Sequence, residues 1–165
     1  MKNYLTVLVL LFSISIVNAQ TIKEIKIKGI TADGKSFYSK RLSDVTINIY
    51  DNNKLIEKFV STKKGKFEFE IGINSYITIE FVHEDFITKR IAFNTSLPEL
   101  ENELVIDPFK FEIMMLDSKG DLSDFEIDFP VTKIEFSKEI AKYIYNQEYT
   151  EYRMEEQKRI LALKD

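Results

Sequence analysis

Apolar and charged residues alternate with unusual regularity between Ser61 and Phe81. Phe67, Phe69 and Ile71 are separated by Glu68 and Glu70, and Ile77, Ile79 and Phe81 repeat the rhythm beyond a Gly72-Ile73-Asn74-Ser75 link. Successive strand residues point to opposite faces, so each run buries one face and wets the other. Lys64-Gly65 supplies a flexible turn before the first run, and Gly72 to Ser75 supplies another between the runs. The stretch therefore predicts a β-hairpin on one side of an antiparallel sheet.

The same two-residue period recurs on either side. Ile22 to Ile30 predicts a strand with Ile25, Ile27 and Gly29 on one face and Glu24, Lys26 and Lys28 on the other. Outward lysines of this kind discourage edge-to-edge aggregation. Ala32-Asp33-Gly34-Lys35 predicts a turn, followed by a polar connection from Ser36 to Asp44. Val45 to Tyr50 predicts a strand with Val45, Ile47 and Ile49 inward, joined through Asp51-Asn52-Asn53 to a hairpin partner at Lys54 to Ser61. Beyond His83-Glu84-Asp85, Phe86 to Phe93 returns with Ile87, Ile91 and Phe93 on one face. Pro98 and Pro108 bracket a surface loop, and Phe109 to Leu116 resumes the alternation with Phe109, Phe111, Ile113 and Met115 together. Asp117 to Asp128 reads as an acidic loop, and Val131 to Phe136 as a short last strand led in by Pro130. From Gln147 the period changes to three and four, with Tyr149, Tyr152, Glu156, Ile160 and Leu163 on one stripe of an amphipathic helix. About seven strands and one terminal helix point to a mainly β, antiparallel β-sandwich with a C-terminal α-helix.

Composition narrows the class. The 165 residues suit one domain and contain 44% hydrophobic and 13% aromatic residues, enough for a sizeable core. A net charge of -4 gives no electrostatic support to nucleic-acid binding. The absence of cysteine excludes disulfides, thiolate metal sites, a cysteine nucleophile and a lipid-modified cysteine. Met1 to Ala19 has the three parts of a secretory signal peptide: Lys2, an apolar run from Tyr4 to Val17, and Val17-Asn18-Ala19 at the cleavage position. That run is shorter than the roughly 20 residues that span a bilayer, so cleavage and release are expected rather than anchoring. The mature chain is expected to be periplasmic or extracellular, with no stable transmembrane segment after cleavage.

Several stretches together resemble a known family. Ile27-Lys28-Gly29, Asp44-Val45-Thr46-Ile47-Asn48-Ile49-Tyr50 and Ser61-Thr62-Lys63-Lys64-Gly65-Lys66-Phe67-Glu68-Phe69 are similar to a carboxypeptidase regulatory-like domain. Tyr76-Ile77-Thr78-Ile79 and Phe86 to Thr95 extend the resemblance to a version found in secreted proteins of Gram-negative bacteria. The resemblance implies a transthyretin-like β-sandwich, covers roughly Ile22 to Thr95, and is nearly silent on chemistry. The expected organisation is a signal peptide over 1–19, the sandwich over 20–95, a loop with additional strands over 96–146, and a helix over 147–165.

Candidate chemistry is sparse, and each candidate has a plain structural reading beside it. His83 is the only histidine; a general base or metal ligand needs a partner, and spacing identifies none, so it reads as a hairpin-end residue. The fold family includes a purine-catabolism hydrolase that uses several histidines and a C-terminal tetrapeptide, and a lone histidine with a helical Lys164-Asp165 end does not match it. Asp117, Asp121, Asp124, Glu126 and Asp128 are the best oxygen ligands for calcium, but their spacing departs from the known loop pattern and a solvated loop is expected. Lys63-Lys64-Gly65-Lys66 reads as a solvated turn without a stacking groove. Tyr143, Tyr145, Tyr149 and Tyr152 could form a partner or sugar-binding surface, and are expected instead to dock the helix on its own domain. Asn94-Thr95-Ser96 matches a glycosylation sequon.

No residue is assigned a catalytic, cofactor-binding or metal-binding role from sequence, and no cofactor is expected. The expected function is that of a non-enzymatic exported binding or structural module in the cell envelope, with an envelope protein or a carbohydrate as partner and no nucleic acid. The alternative is a small carboxylate-dependent hydrolase or carbohydrate-acting enzyme, whose paired carboxylates would be recognised by their separation in space.

Overall fold

The computed structural model describes residues 23–34, 40–99, 106–116 and 129–162. The expected signal segment and the acidic stretch from Asp117 to Asp128 lie outside the described residues. The described chain forms β1 (Glu24–Asp33), β2 (Lys40–Arg41), β3 (Thr46–Asp51), β4 (Lys54–Val60), β5 (Lys66–Gly72), β6 (Tyr76–His83), β7 (Phe86–Asn94), β8 (Phe109–Met115), β9 (Thr132–Ser137), β10 (Lys142–Tyr145) and α1 (Gln147–Ala162).

Two sheets face each other as a β-sandwich carrying a C-terminal helix, the fold class that the alternation predicts. In the smaller sheet β1 is central, with β5 and the short β2 paired antiparallel to it and β8 running parallel to it. The larger sheet has the order β10-β9-β7-β6-β3-β4, and there β9 runs parallel to β7. The two parallel pairings become possible because each joins strands separated by a long stretch of chain.

The expected hairpin between the two alternating runs does not form. β5 pairs with β1 in the smaller sheet, whereas β6 pairs with β3 and β7 in the larger one. The Gly72 to Ser75 link therefore crosses from sheet to sheet. Both runs do send their apolar face to one core: Phe67, Phe69, Ile71, Ile77, Ile79 and Phe81 are all buried. A hairpin and a crossover satisfy the same alternation, because alternation fixes the face of a strand and not its partner.

The core is closed by aromatic rings from both sheets. Phe67 lies 5.5 Å from Phe81 and 5.3 Å from Phe111, and Phe93 lies 5.0 Å from Tyr143. At the mouth of β5, Gly65 has φ of +66°, and an added Cβ would sit 2.6 Å from the Thr31 carbonyl oxygen, so only glycine fits there. The β3–β4 hairpin turns on Asn52 and Asn53, both left-handed as their residue types favour.

Helix α1 is held through Tyr149 of the expected stripe but not through Tyr152, and the side chains of Ile160 and Leu163 lie outside the described residues. Asn146 Oδ1 accepts the Tyr149 backbone N–H at 2.9 Å and caps the first turn. Tyr149 Oη donates to the Pro130 carbonyl at 2.9 Å, and the Thr150 and Thr132 hydroxyls meet at 2.6 Å. Arg153 lies over the Phe129 ring and pairs with Glu156. Tyr152, placed on the docked stripe by its spacing, is 58% exposed. The helix thus docks through hydrogen bonds and Arg153 against the segment leading into β9, rather than through a stripe that includes Tyr152. Tyr143 and Tyr145 belong to β10, a strand the sequence reading passed over.

Candidate binding site on the outer face of the larger sheet

The strands of the larger sheet turn Ile47, Ile49, Ile77, Ile79, Ile91 and Phe93 inward, so the intervening residues face away from the core. One row of those outward residues is unlike ordinary sheet surface. Asn48 of β3, Glu80 of β6 and Arg90 of β7 are direct neighbours across three strands. Glu80 is only 8% exposed although it lies on the outer face.

Every Glu80 oxygen is used. Oε2 accepts from Asn48 Nδ2 at 2.8 Å and from Tyr50 Oη at 3.2 Å. Oε1 accepts from Arg90 Nε at 2.9 Å and Nη2 at 2.8 Å. Burial alone would raise the pKa of Glu80. The hydrogen bonds from Asn48 and Arg90, the charge of Arg90 and the Tyr50 hydroxyl outweigh it and hold the carboxyl below the ordinary glutamate value. Tyr50 is pushed the other way, by burial first and then by the neighbouring Glu80 charge and hydrogen bond. Among the described residues, the buried Asn48 Oδ1 has no hydrogen-bond partner.

This cluster floors a depression of about 480 Å³ lined by Tyr50, Asn53, Thr78, Glu80, Arg90 and Pro130. Pro130 is the residue whose carbonyl anchors Tyr149, so the helix attachment and the rim of the groove share one point. A larger hollow of about 850 Å³ surrounds Gly29, with Phe59, Phe67 and Phe111 among its walls. Its polar walls are exposed side chains such as Lys66, Glu68, Lys110 and Glu112.

The outer face of the smaller sheet shows what an unspecialised surface looks like. There Lys26 and Lys28 lie 2.7 and 3.1 Å from Glu68, in a ladder of exposed ion pairs. Hydrogen bonds to these two lysines lower the Glu68 pKa, and the bond to Glu68 raises that of Lys26. Exposed pairs of this type contribute little to stability.

The residues singled out from sequence fall elsewhere. His83 ends β6, where its Nδ1 accepts the Asp85 backbone N–H at 3.2 Å and its ring meets Phe86 edge-on at 5.0 Å, as its reading as a hairpin-end residue expects. Lys63 and Lys64 are exposed in the turn before β5. Tyr143 is buried, and its hydroxyl donates to the Thr95 carbonyl at 3.1 Å. Tyr145 lies against Phe109. In the sequon, Thr95 is fully buried and Asn94 Oδ1 accepts the Ser96 backbone N–H at 3.1 Å. No three His, Asp or Glu side chains gather as a metal centre among the described residues. Sequence reasoning missed Glu80, Arg90, Asn48 and Tyr50, because each follows the alternation as an ordinary outward residue.

No protein-family model matches the chain. No curated protein matches it either. Among solved structures, the fold is similar to part of the TIE protein of Bacillus anthracis, with a TM-score of 0.44 and 15% identity over 58% of this chain and 18% of that one. It is similar to 3-chlorocatechol 1,2-dioxygenase of Rhodococcus opacus 1CP, with a TM-score of 0.41 and 8% identity over 59% of this chain and 61% of that one. It is also similar to a C-terminal fragment of the pilus adhesin SpaC of Lactobacillus rhamnosus GG, with a TM-score of 0.34 and 9% identity over 57% and 44%. The chain matches less than two thirds of each of these proteins. The molecule is a β-sandwich domain with a polar groove on one outer face. Among the described residues no helix is long and apolar enough to cross a membrane.

Proposed function

We propose that the chain is an exported, non-enzymatic binding module of the cell envelope, and that its ligand lies in the groove over Glu80 and Arg90. The observation that carries this reading is the burial of an ionised carboxylate on the outer face of a sheet. The core does not need it, and the hydrogen bonds around it fix Asn48, Tyr50 and Arg90 in place before any ligand arrives. The groove combines a tyrosine ring, a proline and the polar groups of Asn53, Thr78 and Arg90. That mixture suits a polyhydroxylated ligand, so an envelope carbohydrate is the partner class we favour over a protein. Export rests on the signal-like pattern of Met1 to Ala19, and membership of the carboxypeptidase regulatory-like family rests on the strand-and-turn succession from Ile22 to Thr95.

The alternative, a carboxylate-dependent hydrolase or carbohydrate-acting enzyme, needs two carboxyl groups facing one bond, one of them able to carry a proton. Among the described residues the groove walls supply a single carboxylate, Glu80, and its partners keep it ionised. This favours binding over hydrolysis.

Titration of the isotope-labelled mature protein with soluble envelope polysaccharide fragments tests the proposal by NMR. Shift changes are expected at Tyr50, Asn53, Thr78 and Arg90. Changes confined to the smaller sheet, or product release by the unmodified protein, would overturn it.

A further inference from the structure

β4 is an end strand of the larger sheet, paired with β3 on one side and with nothing on the other among the described residues. All of its residues are exposed except Phe59. Leu55, Ile56 and Val60 keep 48%, 53% and 53% of their surface in water. Ile56 stands outside the β3 pairing, which passes from Ile49–Glu57 to Tyr50–Leu55. The facing end strand of the smaller sheet is β5, whose Phe69 ring lies 5.4 Å from that of Phe59. β5 exposes only Lys66, Glu68, Glu70 and Gly72. Unpaired N–H and C=O groups on an edge are a template for another chain, and natural sheets guard them with charge or cover. β5 follows that rule, and the exposed apolar residues of β4 depart from it.

The free backbone groups of β4 can be located. The Ser61 N–H donates to the Val45 carbonyl at 2.9 Å, so it faces β3. Strand residues alternate in this respect, so Phe59 also faces β3, and Lys58 and Val60 present N–H and C=O to the open side. The same border is basic, on a chain of net charge -4. Lys54 and Lys58 of β4 and Lys63, Lys64 and Lys66 beyond it are exposed, and none has a carboxylate partner among the described residues. Val60 and Lys66 share the wall of the hollow of about 850 Å³, which sets apolar and cationic groups side by side.

A second copy of the chain fits this edge poorly. In a symmetric antiparallel pair one residue meets its own copy. Centring on Glu57 or Lys58 sets like charges opposite each other, and centring on Ile56 sets Lys54 opposite Lys58. The excess of lysine calls for an acidic partner, and the open backbone of Lys58 and Val60 calls for an extended one. We propose that β4 is a strand-addition site, where an extended acidic segment of another protein pairs with Lys58 and Val60 and lengthens the larger sheet. Alternation along such a segment sets apolar side chains beside Phe59 and carboxylates beside Lys58. This site is separate from the groove over Glu80 and Arg90, and neither depends on the other.

The probe is a capped octapeptide alternating valine and glutamate, titrated into the isotope-labelled mature protein and followed by NMR. Saturable shifts are expected at the amides of Lys58 and Val60, with Thr78 and Arg90 unmoved. A peptide alternating valine and lysine should bind about tenfold more weakly, or less, because like charges then meet. Lys58→Glu should weaken the acidic peptide about tenfold for the same reason. Val60→Pro removes an outward N–H and spares the β3 bonds, and edge strands accept proline, so it should fold and lose the peptide. Melting temperatures check the folding of both variants. Absence of saturable shifts at Lys58 and Val60 overturns the proposal, as does a folded Val60→Pro variant that binds like the wild type. If Val60→Pro does not fold, Lys58→Glu decides, and unchanged affinity there overturns the proposal too. Vesicles rich in phosphatidylglycerol supply the last arm. If they shift the same amides and the peptide does not, the basic edge serves a lipid surface and strand addition is wrong.

Discussion

Arg90 and Lys89 are adjacent cations on one strand, and the fold treats them in opposite ways. Arg90 points outward and finds Glu80 directly across the strand pair; Lys89 points inward and finds Phe81. The arginine charge is matched at hydrogen-bond distance on the outer face. The lysine charge is unmatched among the described residues, and burial lowers its pKa. The peptide unit between them decides which cation is an ion-pair member and which is carried on the inward face of the strand. Charge on a β-strand acquires its role from face and register, not from residue type.

The largest expected effect comes from breaking the outer pair. Arg90→Met leaves Glu80 buried and ionised without its cation, and should destabilise the fold by about 3 kcal/mol at neutral pH, near the low end for a half-broken buried pair. Adding Glu80→Gln should recover at least half of that loss, because the stranded charge is then gone. Urea unfolding of the single and double variants measures both. The wild-type pH dependence has a definite sign. The folded pKa of Glu80 is lowered, so its contribution is present above the ordinary glutamate value and is lost as pH falls through the folded value. Arg90→Met should flatten that acid limb. A loss below about 1 kcal/mol, with the limb unchanged, would mean that water replaces Arg90 at little cost.

The inner cation should respond in the opposite direction. The folded pKa of Lys89 is lowered to about 8, so between that value and the ordinary lysine value the unfolded chain binds the proton and the folded chain does not. Stability from this group therefore rises with pH across that window, and below it the folded state carries the penalty of a buried ammonium. Lys89→Met should raise stability at pH 7 by about 1–3 kcal/mol, since a shift of one unit corresponds to about 1.4 kcal/mol and water still reaches part of the side chain. It should also remove the rise that begins at about pH 8 and runs toward the ordinary lysine value. The buried Tyr143 acts oppositely at higher pH, because burial raises its pKa and favours unfolding once the phenol of the unfolded chain ionises. The comparison is best read below pH 10. A Lys89→Met variant less stable than wild type at pH 7 would show that the stem packs in the core more than the charge disturbs it.

How much of this contrast can be read in the sequence depends on what each residue needs. The inward turn of Lys89 is legible: the alternation that places Ile87, Ile91 and Phe93 on one face carries Lys89 with them. The Glu80–Arg90 pair needs the register as well. Counting back from the His83–Phe86 pair without the bulge on β7, where Ile87 and Thr88 stand against Val82, would set Lys89 opposite Glu80 and Arg90 opposite Ile79. The only trace of the bulge is the apolar doublet Phe86-Ile87, two neighbouring residues that both want the core. The failed hairpin has the same origin, since the faces of β5 and β6 follow from their residues while their partners are settled by the rest of the sheet. β10 escaped because it is four residues long and its turn closes on Ala141 at a φ of +53°, without the glycine or asparagine that marks such a turn. The candidate groove was illegible as a whole, because it joins β3, β6, β7 and Pro130 across 80 residues of chain, from Tyr50 to Pro130.

The smallest effect separates two tyrosines of the helix and asks whether the groove rim depends on helix docking. Tyr149 donates to the Pro130 carbonyl, and Lys133 lies 4.2 Å above its ring. Tyr152, three residues on, is mostly in water. Tyr149→Phe removes one hydrogen bond and keeps the ring, so it should lower stability by about 1 kcal/mol. Tyr152→Phe should change it by less than about 0.5 kcal/mol, as surface substitutions do. Both values come from thermal or urea unfolding of the full mature chain. The Tyr149 bond also fixes Pro130, which walls the groove over Arg90 and Glu80. Tyr149→Phe should therefore shift the amide resonances of Val131 and Arg90, whose backbone groups bond to each other at 2.8 Å just inside that wall. Tyr152→Phe should leave them in place. If the two variants shift those resonances equally, the helix is not what positions the rim. The outer site would then rest on the strand row of Asn48, Glu80 and Arg90 alone.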